Sequence, residues 1–314
     1  MTHVLVTGGA GRLGVSVVQG LAARGYRVTS VDRPGTQDPS RDRPGVEAVA
    51  ADLTDDVGTL ALLAGVRPDA VVNLAAIAVP FSRPETEILT TNVAIAQNVC
   101  AAAVAAGVRR VVVASSPTVL GYGSPAGWLP PRFPLDETTP PRPWHGYGLS
   151  KYAAEQVAAM HAAALGDDVR FASFRPCYVI APDEWAGAPT QQGHTVHERL
   201  DDPALSAPAL FNYVDARDVA DFLCVLLEGM GRISNGETFF VGAPDALARS
   251  PLAELLPRFV PGSERLAAHL TGTEPAFSTA KAAEVLGWQP ARSWRTELRP
   301  LEGAGAGDEE RVPA

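Results

Sequence analysis

The chain has 314 residues, 46% of them hydrophobic and 19% charged, with a formal net charge of −9. That length suits one large α/β core with a smaller appended region, two lobes in all, and is too short for three ordinary domains. The negative balance speaks against a phosphate-backbone partner, so nucleic acid binding is not expected, and no apolar run reaches the roughly 18 residues of a membrane span. Strand-like residues begin at Val4, leaving no room for a signal peptide, and Cys100, Cys177 and Cys224 lie far apart with no CxxC pair. A cytoplasmic, reducing setting is the expectation.

The first stretch, VLVTGGAGRLG at residues 4–14, reads as a buried strand, a tight turn and the start of a helix over 11–24. Glycines stand at Gly8, Gly9, Gly11 and Gly14, where a Cβ would block the sharp turn and the approach of a pyrophosphate to the helix N-terminus. Gly8, Gly11, Arg12, Leu13 and Gly14 are therefore the expected phosphate cradle. The next apolar run, 27–31, ends in Asp32, where a carboxylate can hydrogen-bond the adenosine ribose 2′-OH. A 2′-phosphate would be repelled there, which favours NAD, while Arg33 beside it keeps NADP open.

Further strand-like runs follow at 46–50, 70–74, 110–114 and 169–174, separated by helical patterns at 57–64, 85–106 and 149–164. That alternation predicts a parallel sheet with helices on both faces. The two long helices are alanine-rich and apolar over much of their circumference, which suits either a helix-mediated homodimer or a thick monomer core. Ala51, Asp52 and Leu53 follow the third strand where a side chain can reach the adenine, and Asp52 has a second reading as a helix N-cap. Asn73 to Ala76, with Ala75 among them, ends the fourth strand in small residues that leave room for a dinucleotide. Asn92 is read as a packing or backbone partner.

Residues 122–145 hold seven prolines and little periodicity, a restrained loop leading into a helix. A second irregular stretch, 181–210, carries Trp185, Gln191, Gln192, His194 and His197, and residues 213–228 return to a helical pattern. The expected division is a dinucleotide-binding domain over 1–180, rejoined by 211–242, a substrate lobe from 181–210 and 243–302, and a flexible tail at 303–314.

Tyr147 and Lys151 are four residues apart on one helix face, and Ser115 and Ser116 end a strand just before the proline-rich loop. A phenol, an ammonium and a hydroxyl thus meet at one edge of the sheet. A phenol near pKa 10 is a poor base at neutral pH, but an adjacent ammonium and a nicotinamide cation both favour the phenolate. The hydroxyl can hydrogen-bond the reacting oxygen, and Lys151 can also hold the nicotinamide ribose. His145 could face the substrate or lie in solvent. His194 and His197 form an HxxH without a third ligand, so metal is not expected, and His194 and Gln191 are candidates for substrate contact.

These segments, from TGGAGRLG through NLAA, ASSPTVLGY and YGLSK to RPCYVIAP, YVDARDVAD and STAKAAEVLGWQP, resemble the extended short-chain dehydrogenase/reductases, also called the NAD-dependent epimerase/dehydratase family. The resemblance implies a doubly wound Rossmann domain with a small C-terminal substrate lobe and catalysis by Ser116, Tyr147 and Lys151, with Ser115, expected beside the cofactor, the neighbour that could be mistaken for Ser116. It also implies that Pro176 and Cys177 lie against the nicotinamide, which makes Cys177 a packing residue. Departures from the family shape the reaction. Its dehydratases follow the catalytic Thr with an Asp-Glu pair where this chain has Pro117 and Thr118, so dehydration is not expected. Many of its nucleotide-sugar epimerases carry an Asn and an Arg on the substrate diphosphate where this chain has Tyr178 and Phe211; Arg199 and Arg217 are the nearby substitutes. ASSPTVLGY is also similar to segments of the uronate dehydrogenase branch. The expected function is an NAD-dependent oxidoreductase interconverting an alcohol or lactol and a ketone or lactone on a small polyol, sugar or secondary metabolite. The rivals are an NAD-retaining epimerase and a non-catalytic dinucleotide-binding protein.

Overall fold

The structure, a computed structural model, describes residues 1–298, so the expected tail at 303–314 and the end of the second expected lobe lie outside the described residues. Strand β1 (His3–Thr7) is buried along its whole length. Its residues alternate in direction, as a strand's must. Val4 and Val6 point to a core built with Val17, Val18 and Leu21 of helix α1 (Arg12–Ala23), whereas Leu5 points to the opposite face, among Val99, Ala103, Ala154 and Ala158. Each such side chain, fully removed from water, contributes about 1.5–3 kcal/mol.

β1 pairs in parallel with β2 (Arg27–Asp32), which pairs with β3 (Val46–Ala50). On its other side β1 pairs with β4 (Ala70–Asn73), and the sheet continues through β5 (Arg110–Ala114) and β6 (Arg170–Pro176). Between them run α2 (Asp56–Val66), α3 (Glu85–Ala105) and α4 (Gly146–Leu165). Past β6 a short parallel pair, β7 (Val179–Ile180) and β8 (Val214–Asp215), brackets α5 (Pro182–Trp185) and α6 (Val196–Asp201). Helix α7 (Ala216–Gly229) then packs beside α1, and β9 (Glu237–Val241) joins β6 to complete seven parallel strands in the order 3-2-1-4-5-6-9. The doubly wound parallel sheet is present. Its order reverses between β1 and β4, the switch point at which open α/β sheets bind ligands.

The short pair β7 and β8 was not among the expected strands, and other differences from the sequence expectation have a physical reason. β9 was not among the expected strands: five residues after Gly236, with Phe239 and Phe240 fully buried, carry no periodicity that separates strand from buried helix. The helix expected over 213–228 begins only at Ala216, because Val214 and Asp215 pair with β7 and the Asp215 carboxylate then caps the helix through Arg217 N–H at 2.7 Å. α4 starts three residues before the expected position, capped by His145. One helix among the described residues, α3, is long and apolar enough to cross a membrane, with a mean hydropathy of 1.5, although the sequence reading found no such run. Here it packs between α2 and α4 against the sheet.

Under the C-terminal ends of β5 and β6 lies a buried ion pair. Arg175 donates from Nε to Glu155 Oε1 at 2.7 Å and from Nη2 to Oε2 at 2.9 Å, and Ser115 Oγ donates to the same Oε1 at 2.5 Å. The guanidinium also lies over the Phe240 ring at 5.2 Å. This network joins α4 to two strands one turn below Lys151. Glu155→Gln leaves the arginine charge uncompensated in the interior and is expected to cost about 3–5 kcal/mol, read as a lower denaturation midpoint; an unchanged midpoint would show that the pair is not a structural tie.

Candidate active site

The turn after β1 is closed by backbone contacts that exclude side chains. Gly8 has φ +67°, and a Cβ on it would sit 2.9 Å from Ala75 N, while a Cβ on Gly14 would sit 2.0 Å from Gly8 O. Helix α1 opens at Gly11 with no side-chain cap, so the first-turn N–H groups of Arg12 and Leu13 remain as donors at the positive end of the helix dipole. Asp32, at the end of β2, accepts from Ala10 N–H at 3.1 Å through Oδ2 and from Arg33 N–H at 2.8 Å through Oδ1. It borders a hollow of about 180 Å³ that Arg33, Thr36, Arg41 and Val49 also line. A narrow glycine cradle, free amides and a carboxylate at the adjoining strand end fit a dinucleotide.

Asp52 is exposed and accepts from Thr54 N–H at 3.0 Å and from Thr54 Oγ1 at 2.7 Å, contacts that hold its carboxyl below the usual range. Its alternative reading as an N-cap is corrected: Asp55 caps α2, through Gly58 N–H at 3.1 Å, because Asp52 spends its acceptor on the turn before the helix. Leu53 is buried among α3 residues, and Ala75 N–H donates to Thr7 Oγ1 at 3.2 Å beside Gly8. Asn92 is buried, accepting from Ile77 N–H at 2.7 Å and donating to Ser150 Oγ at 3.0 Å, which is a backbone and packing role.

At the far end of the same edge, Lys151 is buried, and its Nζ donates to Ala114 O at 3.0 Å and lies 5.8 Å from the centre of the Tyr147 ring. Burial brings the ammonium down to about 8 and pushes the Tyr147 phenol up to about 12, with the Ser116 hydroxyl beside it acting in the opposite direction. The ammonium and a nicotinamide cation together are expected to favour the phenolate; in the chain alone, desolvation of both groups acts against it. Ser116 Oγ accepts from Thr118 Oγ1 at 3.0 Å. Ser115 is corrected as a cofactor-facing hydroxyl, because alternation along the strand turns its Oγ away into the Glu155 pair. Ser116 is thus the serine at Tyr147.

His145 Nδ1 accepts from Gly148 N–H at 3.1 Å, so the neutral ring carries its proton on Nε2. Its ring stacks on Tyr147 with an interplanar angle of 5° and also meets Phe81 and Trp144. Phe81, 60% exposed with φ +62°, and Trp144 make an aromatic rim that the sequence reading did not single out. The proline-rich loop beyond is pinned where Leu135 exchanges backbone hydrogen bonds with Ala276 and Ser278. Pro176 ends β6, and Cys177 is buried against Gly242, with burial pushing its thiol up, so it is no nucleophile.

The irregular stretch after β7 reaches back to the glycine turn. Arg12 pairs with the Glu184 carboxylate and donates to Val179 O at 3.1 Å and to Gln191 Oε1 at 3.0 Å. Gln191, expected at the substrate, is engaged here by Arg12, and His194 is exposed near Glu198. Tyr178 lies under the Arg199 guanidinium at 4.1 Å. Phe211 is buried with its edge on Phe259.

A model of the NAD dependent epimerase/dehydratase family matches residues 4–242. The chain belongs to this family. Similar curated proteins include UDP-glucose 4-epimerase of Mycolicibacterium smegmatis, 28% identical over 92% of this chain and 93% of that protein. Uronate dehydrogenase of Agrobacterium fabrum is 31% identical over 67% of this chain and 74% of that protein. Among solved structures, UDP-glucose 4-epimerase from Brucella ovis in complex with NAD has the same fold, with a TM-score of 0.70 at 21% identity over 95% of this chain and 97% of that one. As a member of an NAD dependent enzyme family, the chain presents the glycine cradle and Asp32 where the cofactor's phosphates and adenosine ribose would be held. Asp32→Ser is expected to weaken NAD about tenfold and to improve NADP beside Arg33 and Arg41, read from initial rates with each cofactor; an unchanged preference would remove Asp32 from the ribose site.

Proposed function

We propose that the protein is an NAD-dependent dehydrogenase that oxidises an alcohol or lactol of a small polyol, sugar or related metabolite, without a nucleotide handle on the substrate. NAD supplies the hydride acceptor. Tyr147 takes the substrate hydroxyl proton, Ser116 hydrogen-bonds the same oxygen as it becomes a carbonyl, and Lys151 supplies positive charge beside the phenolate and a donor for the cofactor ribose. In the reverse direction Tyr147 returns the proton.

The observation that carries this reading is the pair Tyr178 and Phe211. Where the resemblance implies an amide and a guanidinium for nucleotide-sugar epimerases, one position holds a ring stacked on Arg199 and the other a ring sealed in the core. Phe211 has no polar atom to offer a diphosphate, and the Tyr178 hydroxyl is buried, so the amide and guanidinium contacts implied for those epimerases are absent at both positions. The likeness to uronate dehydrogenase is consistent with this, whereas full-length likeness to a UDP-glucose 4-epimerase favours the second reading, an epimerase that keeps its NAD. Absorbance at 340 nm with NAD and a panel of free sugars, uronates, polyols and hydroxyketones separates the two. Substrate-dependent NADH formation supports the dehydrogenase; retained NAD with turnover of a UDP-sugar and no net NADH overturns it. Three free, buried cysteines suit a reducing compartment, and Leu149 and Met160, exposed on α4, suit a homodimer through the long helices.

A further inference from the structure

Four arginines gather at the edge of the sheet opposite the catalytic residues. Arg67 follows α2, Arg109 and Arg110 stand at the start of β5, and Arg170 opens β6. All four line a hollow of about 560 Å³. Arg110 begins β5 and Ala114, whose carbonyl holds Lys151, ends it, so this hollow and the catalytic edge are about 13 Å apart along one strand.

Helix ends account for part of the cluster, because α2 and α7 finish at this edge and cations suit the negative end of a helix. Arg67 Nε donates to Ala64 O at 3.2 Å, Arg110 Nη1 to Leu227 O at 3.3 Å and Arg170 Nη1 to Ile233 O at 3.2 Å. A guanidinium carries five N–H groups, so these bonds fix its position and leave most of its donors unused. Arg109, exposed beside them, has no hydrogen-bonded or ionic partner for its guanidinium among the described residues.

The carboxylates of the hollow do not balance this charge. Asp69 Oδ2 accepts from His3 N–H at 2.7 Å, and Asp167 pairs with Arg170 at 3.1 Å but is 80% exposed. Asp168 lines the hollow without an ion pair, and Arg67, Arg109 and Arg110 likewise have none among the described residues. A chain with a net charge of −9 thus keeps a local excess of positive charge here. Like charges around one cleft repel one another and focus a positive field into it, and an anion that enters relieves the repulsion. The volume falls in the range of small-molecule sites, about 300–1,000 Å³, while the charged lining suits a multiply charged ligand. Guanidinium forks match phosphate oxygens two at a time.

We propose that this hollow is a second binding site, for a small anion carrying two or three linked phosphoryl groups. None of its residues belongs to the glycine cradle or to the catalytic set, so the site stands whether the enzyme is a dehydrogenase or an epimerase. A nucleoside triphosphate and inorganic tripolyphosphate present the same chemistry, and separate arms of the test tell them apart.

The test is calorimetric titration of the NADH-loaded full chain, in magnesium-free buffer, with inorganic phosphate, pyrophosphate, tripolyphosphate and ATP, while NADH fluorescence reports that the cofactor stays bound. Affinity is expected to rise with each added phosphoryl group, to reach a dissociation constant on the order of 0.1 mM for tripolyphosphate, and to fall as NaCl is raised. ATP binding more tightly than tripolyphosphate assigns the site to a nucleotide; equal binding assigns it to the phosphates alone. Arg109→Ala removes an exposed side chain without a partner and is expected to weaken tripolyphosphate about threefold to fivefold, and the addition of Arg67→Gln to weaken it about tenfold or more. Asp168→Asn acts in the opposite direction, tightening it about twofold, which general damage to the fold would not do. NADH affinity should be the same in all three variants. No saturable binding, displacement of NADH by the titrant, or an affinity equal in the parent and the doubly substituted chain overturns the proposal.

Discussion

Tyr147→Phe is expected to lower turnover by about 10²–10⁴ while NADH binds within about twofold of the parent protein. The substitution removes one oxygen. The ring keeps its stack on His145 and its place beside Lys151, so neither the cap of α4 nor the buried network below it should change. What disappears is the phenol proton that lies beside the Ser116 hydroxyl. The pH profile adds an independent readout. Burial holds the phenol near 12 and the Lys151 ammonium near 8. Raising the pH therefore increases the fraction of phenolate throughout the accessible range, and the positive nicotinamide acts in the same direction by favouring the phenolate. The parent enzyme's oxidation rate should climb from neutral pH toward about 8, where Lys151 begins to lose the charge that favours the phenolate, and the residual rate of Tyr147→Phe should be flat. Preserved turnover, or a variant whose rate still climbs, would remove Tyr147 from proton transfer.

Stability has its own pH signature at these two residues, and the signs oppose each other. Lys151 has a folded value below its unfolded one, so the unfolded chain binds more protons between about 8 and 10.5 and its contribution to stability rises with pH across that window. Tyr147 has a folded value above its unfolded one, so its contribution is present below 10 and is lost as pH rises toward 12.

What could be read directly from the sequence was local. The glycine turn, Asp32 and the pair Tyr147 and Lys151 are defined by spacings within one strand-turn-helix or one helical turn, and geometry follows from such spacings. Ser115 and Ser116 show where that stops. Adjacent residues on a strand end face opposite ways, but which one faces Tyr147 depends on Glu155, forty residues away, drawing Ser115 into the interior. Arg12 read as a phosphate-turn residue and is also the clasp to Glu184, 172 positions along the chain. Arg199 was visible as a charge near a substitute position; that it is buried without a counter-ion is a fact of packing. β9 was missed because its five residues, Glu237 to Val241, show no apolar–polar alternation, and the ion pair between Arg175 and Glu155 because no pattern connects its members.

Gly14→Ala is expected to abolish NADH binding at any practical concentration, a loss of about 100-fold or more, and to lower the melting temperature. Its added Cβ would stand 2.0 Å from Gly8 O and 2.8 Å from the Gly9 Cα and carbonyl carbon. All three are backbone atoms, so no side chain can swing aside. Either α1 moves off the turn, carrying its unpaired N–H groups away from the phosphates, or the turn opens and Gly8 loses its approach to Ala75. Both routes damage the cradle before they unfold the sheet, so affinity should fall further than stability. Gly65→Ala gives the contrast. It lies in α2, where a Cβ meets nothing within 4 Å, and the better helix former should stabilise by about 0.5–1 kcal/mol with NADH binding unchanged. Fluorescence titration with NADH and thermal melts on the two variants separate a steric role for Gly14 from a general intolerance of added methyl groups. If Gly14→Ala binds NADH as the parent does, the turn between β1 and α1 is not the phosphate site, and the placement of the cofactor along this edge of the sheet falls with it.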